Sequence, residues 1–173
     1  MGDRYIQNPE TGKMEGSESG GGGGGGGGAP ADAVSLDDMT LFHGTSSENA
    51  ASIRNEGFDP STVGTNAGAQ GDGIYVTASE EMAMPYTGYA QDNPPLQVAV
   101  TGAALMPENK TLATMGETAQ EIFGPNGSKS VDDWRAAVTE AARSAGYNGL
   151  VQNASTSKSE YVIFDAASVT LVK

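Results

Sequence analysis

The sequence predicts an α+β fold built on antiparallel sheets. Short apolar or alternating runs recur along the chain: Met39–Phe42, Gly73–Thr77, Leu96–Thr101, Gly149–Gln152, Glu160–Asp165 and Val169–Val172. Each has strand character. Helical patterns fall between some of them but not after every one, which disfavours a parallel βαβ array. The final runs return on one another like a hairpin.

The elements follow in order. Residues 1–36 hold few large apolar side chains and an unbroken glycine run, Gly20 to Gly28, followed by Ala29-Pro30. Such a stretch cannot bury enough surface to offset its conformational entropy, so it is expected to be an unstructured tether. Within it, Tyr5 to Lys13 is either a short docking peptide or plain linker. The globular domain is expected over 37–173. Its first strand, Met39–Phe42, runs into Leu41-Phe42-His43-Gly44-Thr45-Ser46-Ser47-Glu48. There Thr45-x-x-Glu48 has capping-box spacing, Ala50 and Ile53 share a helix face, and Gly57 ends the helix with Phe58 behind it. A loop covers Asp59 to Asp72, then strand Gly73–Thr77. Thr77-x-x-Glu80 caps a short helix carrying Ala83, Tyr86 and Ala90, which Pro85 disturbs and Asn93-Pro94-Pro95 stops. Leu96, Val98 and Val100 alternate with more polar neighbours. Residues 104–129 show only a short helix at Glu117–Phe123. Ser130-x-x-Asp133 caps the clearest helical stripe, Trp134, Ala137, Val138, Ala141 and Ala142, which Gly146 closes.

Composition excludes several function classes. Asp and Glu number 22 against 9 Lys and Arg, a net charge of −13. Between Lys13 and Lys110 the only Lys or Arg is Arg54. A groove for long polyanions needs clustered cations, so a nucleic-acid partner is disfavoured. A small dinucleotide held by backbone N–H groups stays open. There are no cysteines and one histidine, so neither a disulfide framework nor a Cys/His metal centre is expected. No run is long and apolar enough to span a membrane, and no signal peptide is evident, so a soluble chain is expected.

Four candidate residues stand out. His43 ends a strand, faces a glycine and opens a helix. It is either a satisfied buried polar group or a ligand contact. Glu160 begins a strand on the face of Val162 and Phe164 and is either solvated at the strand end or aimed into a cleft. Tyr75 and Tyr86 are either packing residues or a pair that sandwiches a flat, cationic ring.

In order and spacing, His43-Gly44-Thr45, Gly73-Ile74-Tyr75, Tyr86 eleven residues beyond Tyr75, and Ser159-Glu160-Tyr161-Val162-Ile163-Phe164-Asp165 resemble the mono- and poly-ADP-ribosyltransferases. The match is to their His-Tyr-Glu branch, which includes diphtheria toxin and the poly(ADP-ribose) polymerases, and it runs from about Leu41 to Val172. The resemblance implies a split antiparallel β-sandwich, two small sheets flanked by short helices. It implies NAD as co-substrate, without a metal. His43 would bond a ribose hydroxyl, backbone groups of Gly44 would hold the nicotinamide carboxamide, and Tyr75 and Tyr86 would stack on either side of the nicotinamide ring. Glu160 would engage the nicotinamide ribose. His43, Tyr75 and Glu160 are then the catalytic set, and His43, Gly44, Thr45, Tyr75 and Tyr86 the NAD-binding set. Departures also matter. Ala83 stands where the polymerases often carry serine, which shifts carboxamide binding onto Gly44. Lys158, two residues before Glu160, is not the Glu or Gln of arginine-specific transferases.

The function expected is transfer of ADP-ribose to a protein, as a mono-ADP-ribosylating toxin or effector. It would act in a target cell's cytoplasm after delivery by a phage or secretion system. An immunity protein, or a larger delivery protein joined through the tether, is a further candidate partner. The rival functions are NAD hydrolysis, and a non-catalytic structural or docking module of a phage or secretion assembly.

Overall fold

The computed structural model describes residues 28–63, 71–152 and 159–172, together with the backbone of two short paired segments, Ile6–Gln7 and Met14–Glu15. The rest of the expected tether and docking peptide, residues 64–70 of the loop expected over Asp59 to Asp72, and Lys158 lie outside the described residues.

A seven-stranded sheet organises the described residues. Its strands are β1 (Leu41–His43), β2 (Ile74–Thr77), β3 (Leu96–Val100), β4 (Leu105–Met106), β5 (Gly149–Gln152), β6 (Glu160–Ile163) and β7 (Val169–Leu171). They lie in the order β4-β5-β6-β2-β1-β3-β7, and every pairing is antiparallel except β4 with β5. Four α-helices accompany them: α1 (Ser47–Glu56), α2 (Glu80–Ala83), α3 (Glu108–Phe123) and α4 (Val131–Ser144).

The two small sheets expected from the resemblance are thus hydrogen-bonded into one. The join is slight: β1 and β2 share the single register pair Phe42↔Thr77. On one side of that pair β2 and β6 match four residues, and on the other β1 and β3 match three.

Each face of the sheet has its own core. Leu41, Val76, Val98, Tyr161 and Ile163 pack with Ala50 and partly buried Ile53 of α1. Leu150, Val162 and Phe164 pack with Val138 and Ala142 of α4. The alternation along β6 accounts for this, because successive side chains leave a strand on opposite faces.

The Ser130 cap forms as expected, its hydroxyl accepting from the Asp133 N–H. The α1 cap is shifted by one residue: Ser46, not Thr45, accepts from Asn49 N–H. Thr77 does not cap α2, because its hydroxyl donates to the Ser79 carbonyl at 2.7 Å. α3 is far longer than the seven-residue helix expected. Trp134 of α4 fastens it, donating its indole N–H to Met115 O at 3.2 Å and packing against Phe123.

Packing begins before residue 37. Val34 pairs with Leu105, and Leu36 is 1 % exposed in the core. Asp32 meets Lys110 at 2.7 Å and accepts from Tyr147 Oη at 2.8 Å, and both contacts lower its pKa.

Candidate active site

Local sequence brings two segments against each other beside β1. After His43 the chain turns through Gly44 to the Ser46 cap of α1. After β2, α2 gives way to a 3₁₀ turn, Met84–Thr87, because Pro85 denies the helix a donor. That turn lies on Gly44: a Cβ there would run into the Ala83 carbonyl oxygen and stand 2.8 Å from Tyr86 Cβ. Glycine at 44 is what lets Tyr86 sit beside His43. Asn93 ties the same loop down by donating its side-chain N–H to Thr45 O at 2.9 Å.

The result is a cleft of about 290 Å³ lined by all six sequence-identified residues, His43, Gly44, Thr45, Tyr75, Tyr86 and Glu160. Among the described residues there is no group of three His, Cys, Asp or Glu side chains arranged to hold a metal ion.

His43 is oriented by a backbone contact. Its Nδ1 lies 2.8 Å from Tyr75 O, an acceptor, so Nδ1 carries the proton. Burial lowers its pKa, and the bond to Tyr75 opposes that shift more weakly. The ring is therefore neutral near pH 7, with Nε2 an acceptor. Phe58 fixes the ring plane from its edge, 5.2 Å away at 76°.

Tyr75 donates its hydroxyl to Gly71 O at 2.9 Å, which holds the ring at the cleft. Tyr86 is 58 % exposed, an unusual position for a large aromatic ring. Partial burial of its phenol, and then the charge of Glu160, raise its pKa. That second cause ties the turn to the far end of β6. Glu160 opens β6 opposite Thr77 of β2, and burial raises its pKa. A carboxylate thus enters a partly desolvated cleft beside an exposed phenol and a neutral imidazole. Such a set can bind a polar sugar, cover a flat ring and stabilise positive charge developing between them.

The cleft also uses residues that the motif did not supply. Asn49, Ser52 and Ile53 line it from α1, and Phe58 from the loop beyond. Their i, i+3, i+4 spacing on one capped helix was the available signal. The sequence reading places Phe58 only in packing behind Gly57, whereas it lines the cleft.

Residues 29–172 match the family model of the Poly(ADP-ribose) polymerase catalytic domain. The chain belongs to that family, an ADP-ribosyltransferase-type domain whose members use NAD as co-substrate. No curated protein matches the sequence. Among solved structures, one described as the crystal structure of an anti-CRISPR protein is similar over 80 % of this chain and 100 % of its own, at 14 % identity and a TM-score of 0.39.

Proposed function

We propose that this chain cleaves the nicotinamide–ribose bond of NAD and transfers a single ADP-ribose unit to a protein. The observation that carries this reading is the convergence of His43, Tyr75, Tyr86 and Glu160, from four separate parts of the sequence, on one cleft.

Each residue then has a physical task. Nε2 of His43 accepts from a ribose hydroxyl, because Nδ1–H is committed to Tyr75 O. Tyr75 and Tyr86 cover the two faces of the nicotinamide ring, where aromatic faces favour a pyridinium. The backbone of Gly44, which lines the cleft, bonds the carboxamide. Ionised Glu160 accepts from the nicotinamide-ribose hydroxyl. As the C1′–N bond breaks, its electron pair leaves with nicotinamide and positive charge develops on the sugar. The charge then moves toward Glu160, so the carboxylate binds the transition state more tightly than the ground state. The acceptor's nucleophile forms the new bond at C1′ and releases its proton. The reaction resembles glycoside hydrolysis with a nucleophile other than water.

A protein acceptor is favoured over nucleic acid by the acidic balance of the chain. Acting in a target cell, the same chemistry makes the chain a mono-ADP-ribosylating toxin or effector. Lysate incubated with the chain and biotinylated NAD is expected to yield labelled protein. Glu160→Gln is expected to lower that rate by about 10²–10³ and to remove toxicity on expression. Nicotinamide release without label would move the acceptor to water. No release and no label would overturn the transferase reading.

A further inference from the structure

Gln152 presents a buried side chain that nothing described so far employs. It closes β5, is 6 % exposed, and has neither its amide nitrogen nor its amide oxygen bonded among the described residues. A primary amide in that state is costly, since both groups gave up water. Its place in the ladder is informative. Gln152 stands directly opposite Glu160 in the β5–β6 register. Side chains so paired share a face, with Cβ atoms about 4.5–5.5 Å apart.

Glu160 has the complementary deficit. Burial raises its pKa, and no hydrogen bond opposes that shift among the described residues. Its other ladder neighbour, Thr77, cannot supply one, because that hydroxyl's only proton goes to Ser79 O. Among the described residues Gln152 is thus an unpartnered donor beside the carboxylate in the ladder. A bond from its Nε2–H to the carboxylate would give both that N–H and Glu160 a partner, and it is charge-assisted once Glu160 ionises.

We infer that Gln152 is a positioning residue, whose Nε2–H holds the ionised Glu160 carboxylate toward the cleft. The inference rests on the reading of Glu160 as the catalytic carboxylate. Gln152 acts through Glu160 and does not itself touch the substrate.

The test is a pH titration of the Glu160 carboxyl by ¹³C NMR in the full chain without NAD, comparing parent with Gln152→Met. Methionine matches the shape and removes the donor. The other titratable groups lining the cleft, His43 on β1, Asp59 beyond α1, Tyr75 on β2 and Tyr86 in the turn after α2, are the same in both proteins. Glu160 is expected to titrate at higher pH in the variant, with melting temperature unchanged or raised. In NAD cleavage, kcat is expected to fall about tenfold to a hundredfold with little change in KM, and the acid limb of the pH profile to follow the NMR shift. Gln152→Asn, too short to reach, serves as second variant and is expected to behave the same way. An unchanged Glu160 titration in either folded variant would overturn the inference, as would loss of fold in both, which would assign the amide to the core. Because the titration needs no turnover, a clear shift in a chain that never cleaves NAD would sink the transferase reading and leave the Gln152–Glu160 contact standing.

Discussion

The His43 ring is held through Nδ1, the nitrogen bonded to the Tyr75 carbonyl oxygen. Its bond to Tyr75 O settles which nitrogen accepts, and burial keeps the ring neutral. The stability consequence has a definite sign. The folded pKa lies below the ordinary 6.5, so the unfolded chain takes up the proton first. Stability from neutral His43 is complete above 6.5 and drains as pH falls from there through the folded value. Glu160 is the opposite case. Its folded pKa lies above the ordinary 4.5, so the folded state is penalised as pH rises from 4.5 through the folded value. Glu160→Gln is therefore expected to melt higher than the parent near neutral pH, with the gap closing below pH 4.5. Thermal melts from acid to neutral pH check this, and an equal gap at all pH values would contradict it. These residues were legible because chemistry restricts their type: a lone imidazole before a glycine, a carboxylate opening an apolar strand, two spaced phenols. Gln152 was not legible. It was simply the last residue of an expected strand, and only the register with Glu160 gives it meaning.

At the scale of elements, sequence signals held where a side chain fixes the backbone and failed where packing does. Ser130 caps α4 because its hydroxyl meets the Asp133 N–H, a contact written into four residues. The start of α3 has no such signal. Pro107 precedes it without a side-chain cap, and Thr111, Thr114, Gly116 and Thr118 are weak helix formers. Tertiary contacts supply what propensity lacks: Thr111 is fully buried and donates to Met106 O, and Trp134 fastens Met115. Tyr86 was expected on a helix face with Ala83. The 3₁₀ turn at Pro85 instead sets it out over the cleft. Gly44 is the element-level requirement for that arrangement. Gly44→Ala is expected to push the Ala83–Tyr86 segment away, to destabilise the fold by about 1–3 kcal/mol, and to weaken NAD binding. Denaturant melts and calorimetric NAD titration measure the two effects. Unaltered binding would show that the turn moves without consequence for the ligand.

On the scale of the whole molecule, the family match from residue 29 and the burial of Leu36 set the folded region earlier than composition implied. The glycine run masked that start, since a few apolar residues after it look like the end of a linker. Leu36→Ala is expected to cost about 2–5 kcal/mol, as for a fully buried leucine. A change within 0.5 kcal/mol on urea unfolding would return Leu36 to the surface. The pair of sheets expected is instead a single sheet. The sheet is continuous, but it narrows to Phe42↔Thr77 at the place where the cleft opens. Periodicity along single strands carries no information on how many rungs two of them share.

That one-rung seam has a mechanical consequence. His43 belongs to one half of the sheet and Glu160 to the other, so their spacing depends on the weakest link in the ladder. A dinucleotide bound as proposed, across both halves, would act as a clasp. Amides at Phe42 and Thr77 are expected to exchange with deuterium sooner than those inside the β2–β6 ladder, and to slow markedly once NAD is added.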